Sequence, residues 1–131
     1  MDVNYSGRAK AWGDTTGTRM SSTLPPGELL PLDSLVTPTA QGIASRVLAR
    51  TAAGNITLFA FDAGEELSEH TAPFDALVLT LSGAFTLTIG GRDVNTTPQT
   101  LVLMPANVPH AVRATAASRM LLVMLREGAS S

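Results

Sequence analysis

The sequence predicts an all-β domain, an antiparallel sandwich or closed barrel, and three observations carry that prediction. Short runs of β-forming residues recur at spacings of about 8 to 12 residues, separated by Gly, Pro, Asn and Asp. One run has a period of two: Phe85, Leu87 and Ile89 are large and apolar, and Ala84, Thr86 and Thr88 between them are small or polar. No stretch has the length and period of an amphipathic helix.

Residues 1–22 are rich in Gly, Ser, Thr and Asp and lack apolar periodicity, so they read as a flexible N-terminal arm that carries Tyr5 and Trp12. Residues 23–41 form a lead-in broken by Pro25, Pro26 and Pro31, where Leu29 to Val36 suits one helical turn or a short strand. The barrel domain is expected over 42–127, followed by a short tail, 128–131. Its first strand, Ile43 to Thr51, stops at the turn signal Ala53-Gly54-Asn55. Asn55 to Asp62 (NITLFAFD) stops at Ala63-Gly64, and Ala76 to Ser82 (ALVLTLS) stops at Gly83. The alternating strand through Ile89 turns at Gly90-Gly91 into the polar strand Arg92 to Thr96. Thr100 to Met104, His110 to Thr115 and Ser118 to Leu125 complete the set. Met120 to Leu125 is apolar on both faces, as in an interior strand or one buried at a subunit interface. Eight or nine strands at this spacing fit a sandwich or barrel, with the jelly roll as one form.

Composition narrows the function classes. The chain has 131 residues, 44% of them hydrophobic and 15% charged, which suits one globular domain. With a net charge of -2 and Lys10 as the only lysine, it has no long-range attraction for a phosphate backbone, so no nucleic-acid partner is expected. The absence of cysteine excludes disulfides, thiolate metal sites and thiol nucleophiles. The first twenty residues contain no apolar run of signal-peptide length, and Met120 to Leu125 is too short to span a bilayer. A cytoplasmic protein with no membrane partner is therefore the expectation.

The only histidines are His70 and His110, each placed beside a turn. Imidazole is both the commonest metal ligand and the usual acid–base group near neutral pH. Two histidines forty positions apart are also what ordinary surface or hydrogen-bonded structural residues look like, so their context decides.

That context resembles the cupin superfamily, small single-domain type. The family's first motif, G-x5-H-x-H-x3,4-E-x6-G, is met by Gly64, His70 and Gly83. Its second, G-x5-P-x-G-x2-H-x3-N, is met by Pro105 and His110, with Asn107 in place of the internal glycine. Asn tolerates a left-handed backbone better than most residues. The segment MPANVPHAV is similar to the PANVPH form of many small cupins, and the resemblance covers residues 42 to 126. It implies a jelly-roll (double-stranded β-helix) barrel with His70 and His110 facing one interior.

The departures fall on the ligands. The second motif histidine is replaced by Ala72, and the glutamate position, 76 or 77, holds Ala76 and Leu77. Gln99 and Ala114 replace the glycine and asparagine that bound the second motif. Of the family's four usual ligands, the resemblance leaves His70 and His110. Asp75 is the nearest carboxylate. Strand parity turns it outward, but Pro73 can break the pleat and turn it to the barrel mouth, which makes it the candidate third ligand. The alternative for Asp75 is a turn residue that accepts backbone hydrogen bonds. Glu66 and Glu69 read as a solvated loop edge.

The same parity puts Ala72, Ala76, Val78 and Thr80 inward with His70, lining a small, mostly apolar pocket with two imidazoles at its rim. Phe59, Phe61, Phe74 and Phe85 are candidates for its walls, or for plain core. Three readings follow: a weakly held divalent metal (Zn²⁺, Ni²⁺, Fe²⁺ or Mn²⁺) on His70, His110 and Asp75; a metal-free module for a small organic ligand; and acid–base isomerase or lyase chemistry by the two imidazoles. Whether the chain is an enzyme stays open at this level. A homodimer is expected, with Met120 to Leu125 and Ile43 to Arg50 as the candidate contact strands.

Overall fold

The computed structural model describes residues 23–126. The expected arm over 1–22, with Tyr5 and Trp12, and the tail 128–131 lie outside the described residues. The lead-in contains a 3-10 turn, Leu32–Ser34, which settles the choice left open for that segment. Nine strands follow: β1 (Ile43–Thr51), β2 (Gly54–Phe61), β3 (Glu66–His70), β4 (Asp75–Ser82), β5 (Phe85–Ile89), β6 (Arg92–Asn95), β7 (Thr100–Met104), β8 (His110–Ala114) and β9 (Ser118–Leu125). They form two antiparallel sheets, ordered β1-β2-β9-β4-β7 and β3-β8-β5-β6, and the fold is a jelly-roll barrel.

Eight of these strands match runs visible in the sequence to within a residue or two. The exception is β3, whose residues read as a loop edge. In β3 only Leu67 is half-buried, and its register with β8 shifts between Leu67 and His70. An exposed, irregular edge strand buries too little to show a period of two.

Alternation sorts the five-stranded sheet into two faces. Phe59 and Phe61 of β2, Ala76, Val78 and Thr80 of β4, Met104 of β7, and Met120, Leu122 and Met124 of β9 face inward. They meet Leu67, Phe85, Leu87, Val112 and Ala114 of the other sheet in one core. The Phe61 and Phe85 rings meet edge-on at 5.1 Å and bridge the two sheets, and Phe59 lies 5.9 Å from Phe61 on the same strand. On the outer face, Leu58 and Ala60 pack under Leu35 and Val36 of the lead-in, which covers the β1–β2 half of the sheet. The β7 half stays open: Leu101 is 64% exposed, Leu103 51% and Leu125 47%. Strand β9 lies at the centre of the sheet between β2 and β4, which explains its apolar residues on both faces.

One end of the barrel interior is closed by polar groups. The buried Thr80 hydroxyl donates to Thr96 Oγ1 at 2.8 Å, and the Phe85 N–H donates to the same oxygen at 3.1 Å. Both Thr80 and Thr96 are almost fully buried. Thr96→Val keeps the shape but leaves these donors without an acceptor. We expect it to cost about 2 kcal/mol, the order of a buried donor left unpaired, read as a lower midpoint in urea unfolding; an unchanged midpoint would show that the triad contributes nothing.

Candidate functional site

The other end of the interior holds the histidines. His70 ends β3 and His110 opens β8, and the two are direct partners in the β3–β8 ladder. Cross-strand partners on one face have adjacent side chains, and the two rings sit edge to face with centroids 4.4 Å apart. His110 is buried, whereas His70 is exposed at the rim. Forty positions apart in sequence, they form one site because the barrel pairs their strands.

Each ring is oriented by a carbonyl two residues upstream. His70 Nδ1 lies 3.0 Å from the Ser68 carbonyl oxygen, and His110 Nδ1 lies 3.1 Å from that of Val108. A carbonyl only accepts, so Nδ1 carries the proton in both rings. In a neutral imidazole Nε2 then keeps its lone pair, the state that binds a metal or accepts a hydrogen bond.

The rings border a cavity of about 510 Å³. The five-stranded sheet contributes Phe59, Ala76, Met104, Met120, Leu122 and Met124 to its wall. Leu67, Ser68 and Val112 come from the other sheet, and Ala72 and Phe74 from the β3–β4 connection. The Arg126 guanidinium stacks on the Phe74 ring at 5.6 Å from its centroid. Among the described residues no carboxylate lines the cavity.

The expected pocket residues divide. Ala72 and Ala76 line the cavity with the histidines. Val78 and Thr80 face inward as parity requires, but they sit deeper on β4, fully buried in the core, and do not line it. The reason is packing: beyond Ala76 the two sheets close on Phe85, Leu87 and Met120. Among the four phenylalanines, Phe59 and Phe74 border the cavity, and Phe61 and Phe85 fill the core. Sequence reading missed the three methionines. The alternation of Met120, Leu122 and Met124 along their strand was the available signal, and the pairing of Met104 and Met124 with Ala76 is visible only in the structure.

Asp75 is exposed, and its Oδ1 accepts the Ala106 N–H at 2.8 Å. The Asn107 N–H donates to the Ala72 carbonyl at 2.7 Å. Together these bonds tie the turn before His110 to the strand that follows His70. Asn107 itself takes the left-handed backbone, φ 65°, that the family's glycine allows, and Gln99 does so at φ 66°. Among the described residues no three His, Cys, Asp or Glu side chains come together as a metal site. Zinc sites take at least three protein ligands, so the donor set of two imidazoles without a carboxylate does not fit the divalent metals that the fold family implies.

The comparisons agree with this architecture. A solved structure of a conserved protein of unknown function from Streptococcus pyogenes is 33% identical over 81% of this chain and 93% of its own, with a TM-score of 0.76. A cupin superfamily protein from Desulfitobacterium hafniense is 30% identical over 84% of this chain and all of its own, with a TM-score of 0.74. Salicylate 1,2-dioxygenase from Pseudoaminobacter salicylatoxidans, in a G106A mutant, shares the fold alone, at 14% identity over 66% of this chain and 27% of its own and a TM-score of 0.60. No curated protein matches. The family model described as Cupin domain matches residues 57–125, from within β2 to the end of β9, and the chain belongs to the cupin family.

Proposed function

We propose that this cupin is a binding protein whose barrel cavity takes a small, largely apolar organic molecule, one polar group of which is held by Nε2 of His70 and His110. One observation carries the reading: two imidazoles in contact, with Nδ1 of each engaged by backbone, border a cavity otherwise walled mainly by carbon and sulfur. A volume of about 510 Å³ suits a small organic ligand. Burial of apolar surface supplies the affinity, and the imidazoles set orientation. Where the family's histidine and glutamate stand, Ala72 and Ala76 leave space and remove charge.

Acid–base turnover is a second reading, favoured by the contact between the rings. Two imidazoles on one ligand can accept and return a proton at neighbouring atoms. A ligand recovered chemically unchanged after prolonged incubation would rule this out.

Binding is measured by thermal shift and ligand-observed NMR against a panel of small carboxylic acids, phenols and alcohols. We expect at least one class to stabilise the protein, and the His70→Ala/His110→Ala double variant to lose about tenfold or more in affinity, roughly 1.4 kcal/mol. Wild-type affinity in the double variant would overturn the reading.

Asp75 acts in this reading as a positioning residue for the turn that carries His110. Asp75→Ala should weaken the same ligand several-fold, and Asp75→Asn, which keeps a carbonyl acceptor for the Ala106 N–H, should largely restore it. Equal loss in both variants would instead indicate that the charge itself acts on the ligand.

The open half of the outer sheet face suits a second copy of the chain. Leu77 and Leu79 of β4 lie beside Leu103 and Leu101 of β7, with Val123 of β9 on their other side, and no charged side chain lies among them. A two-fold axis through this patch sets like against like and covers it. Light scattering at micromolar concentration should give the dimer mass, and Leu101→Glu/Leu103→Glu should give the monomer; a monomeric wild type would count against the pairing.

A further inference from the structure

We infer that the cavity's ligand is an organic acid, whose carboxylate meets the Arg126 guanidinium at the cavity mouth while a hydroxyl on the same molecule reaches His70 and His110. The inference rests on the reading that the imidazoles hold one polar group of an organic ligand, and it names the class of that ligand.

The register places Arg126. Ala76 pairs with Met124 and Asp75 with Leu125, so the next positions toward the mouth are Phe74 and Arg126. Side chains alternate, which returns both to the face that carries Ala76 and Met124. Their contact, with the guanidinium 5.6 Å from the ring centroid, agrees with that placement. Phe74 lines the cavity with Ala76 and Met124, so the pair forms its lip on the large sheet, and His70 belongs to the other sheet. Phe74 follows His70 by four residues, a span of at most about 14 Å, so one small molecule can touch both.

The charge on this lip is positive. Arg126 is exposed, and its guanidinium forms no ion pair with a described residue. Met124 pairs with Asn55 and Asn55 with Arg50, so a second arginine continues the same inward row, its backbone about 10 Å from that of Met124. Asp75, which pairs with Leu125, is exposed and already accepts the Ala106 N–H. A planar guanidinium presents paired N–H donors that match a carboxylate, and contact with an aromatic ring leaves it able to make that bond. The imidazoles ask for the opposite partner. With Nδ1 of each ring donating to the Ser68 or Val108 carbonyl, the Nε2 lone pairs take a hydrogen-bond donor, which a hydroxyl is and a carboxylate is not. An apolar skeleton joining the two groups suits the wall of Phe59, Met104 and Met120 between them.

The test titrates the full-length protein calorimetrically with para-hydroxyphenylacetate, meta-hydroxybenzoate and omega-hydroxyhexanoate, each beside its own primary amide. The amide keeps the skeleton and the hydroxyl and removes the charge. We expect at least one acid to bind about fivefold or more tightly than its amide, and Arg126→Gln to erase that preference by weakening the acid. In the wild-type protein, nuclear Overhauser effects should connect the Phe74 ring protons to the methylene beside the carboxylate of para-hydroxyphenylacetate. That readout does not depend on a variant folding. No binding by any of the acids, equal affinity of acid and amide across the panel, an unchanged preference in Arg126→Gln, or a bound acid without contact to Phe74 would overturn the proposal. If it fails while phenols and alcohols still need both histidines, only the acid assignment falls. If the double histidine variant binds the organic ligands as tightly as wild type, the reading of the imidazoles falls as well.

Discussion

Strand β4 is hydrogen-bonded along most of its length on both sides, to β9 and to β7, and that double pairing holds Ala76 between Met104 and Met124. The His70–His110 pair of the other sheet borders the same space. Because side chains alternate, a slip of one residue in β4 would turn Leu77 inward and Ala76 to the outer face. A leucine would fill the space that an alanine leaves open. The barrel tolerates no such slip, because Val78 and Thr80 follow Ala76 into the core and the Thr80 hydroxyl must reach Thr96. The cavity is thus held in place from below by packing and by a buried hydrogen bond.

The histidines depend on a different kind of constraint. Each imidazole is aimed by a carbonyl two residues earlier in its own segment, a local bond that needs no distant partner. Their meeting is not local. It requires β3 to pair with β8, and it requires the turn before His110 to be tied down by Asp75 and the Ala72 carbonyl. Local orientation and non-local placement together leave two Nε2 lone pairs at the edge of an apolar space, where a polar contact is worth more than in water.

The outer surface follows the same alternation that builds the core. The lead-in, stiffened by its prolines, lays Leu35 and Val36 over one half of the large sheet, and the leucines of β4 and β7 form the other half. Strand β9 contributes to both layers, with Met120, Leu122 and Met124 inside and Leu121, Val123 and Leu125 outside. A strand at the centre of a sheet covered on both faces has no polar side to show.

Much of this was legible in the chain itself. Glycine and proline punctuation marked eight strands, the alternation around Phe85 gave the barrel its inward parity, and the matches at Gly64, His70, Pro105 and His110 identified the family. The resemblance also implied that Ala72 and Ala76 stand where the family carries ligands. These features are written in local order, where period and turn chemistry act within a few residues. Strand β3 was invisible because an exposed edge strand has no buried face to impose a period. Which inward residues line the cavity and which close the core, that Asp75 takes a backbone N–H, and that two methionines flank Ala76 all depend on pairings between strands distant in sequence. Only the tertiary structure decides those, because register and depth belong to two sheets closing on each other and not to any one strand.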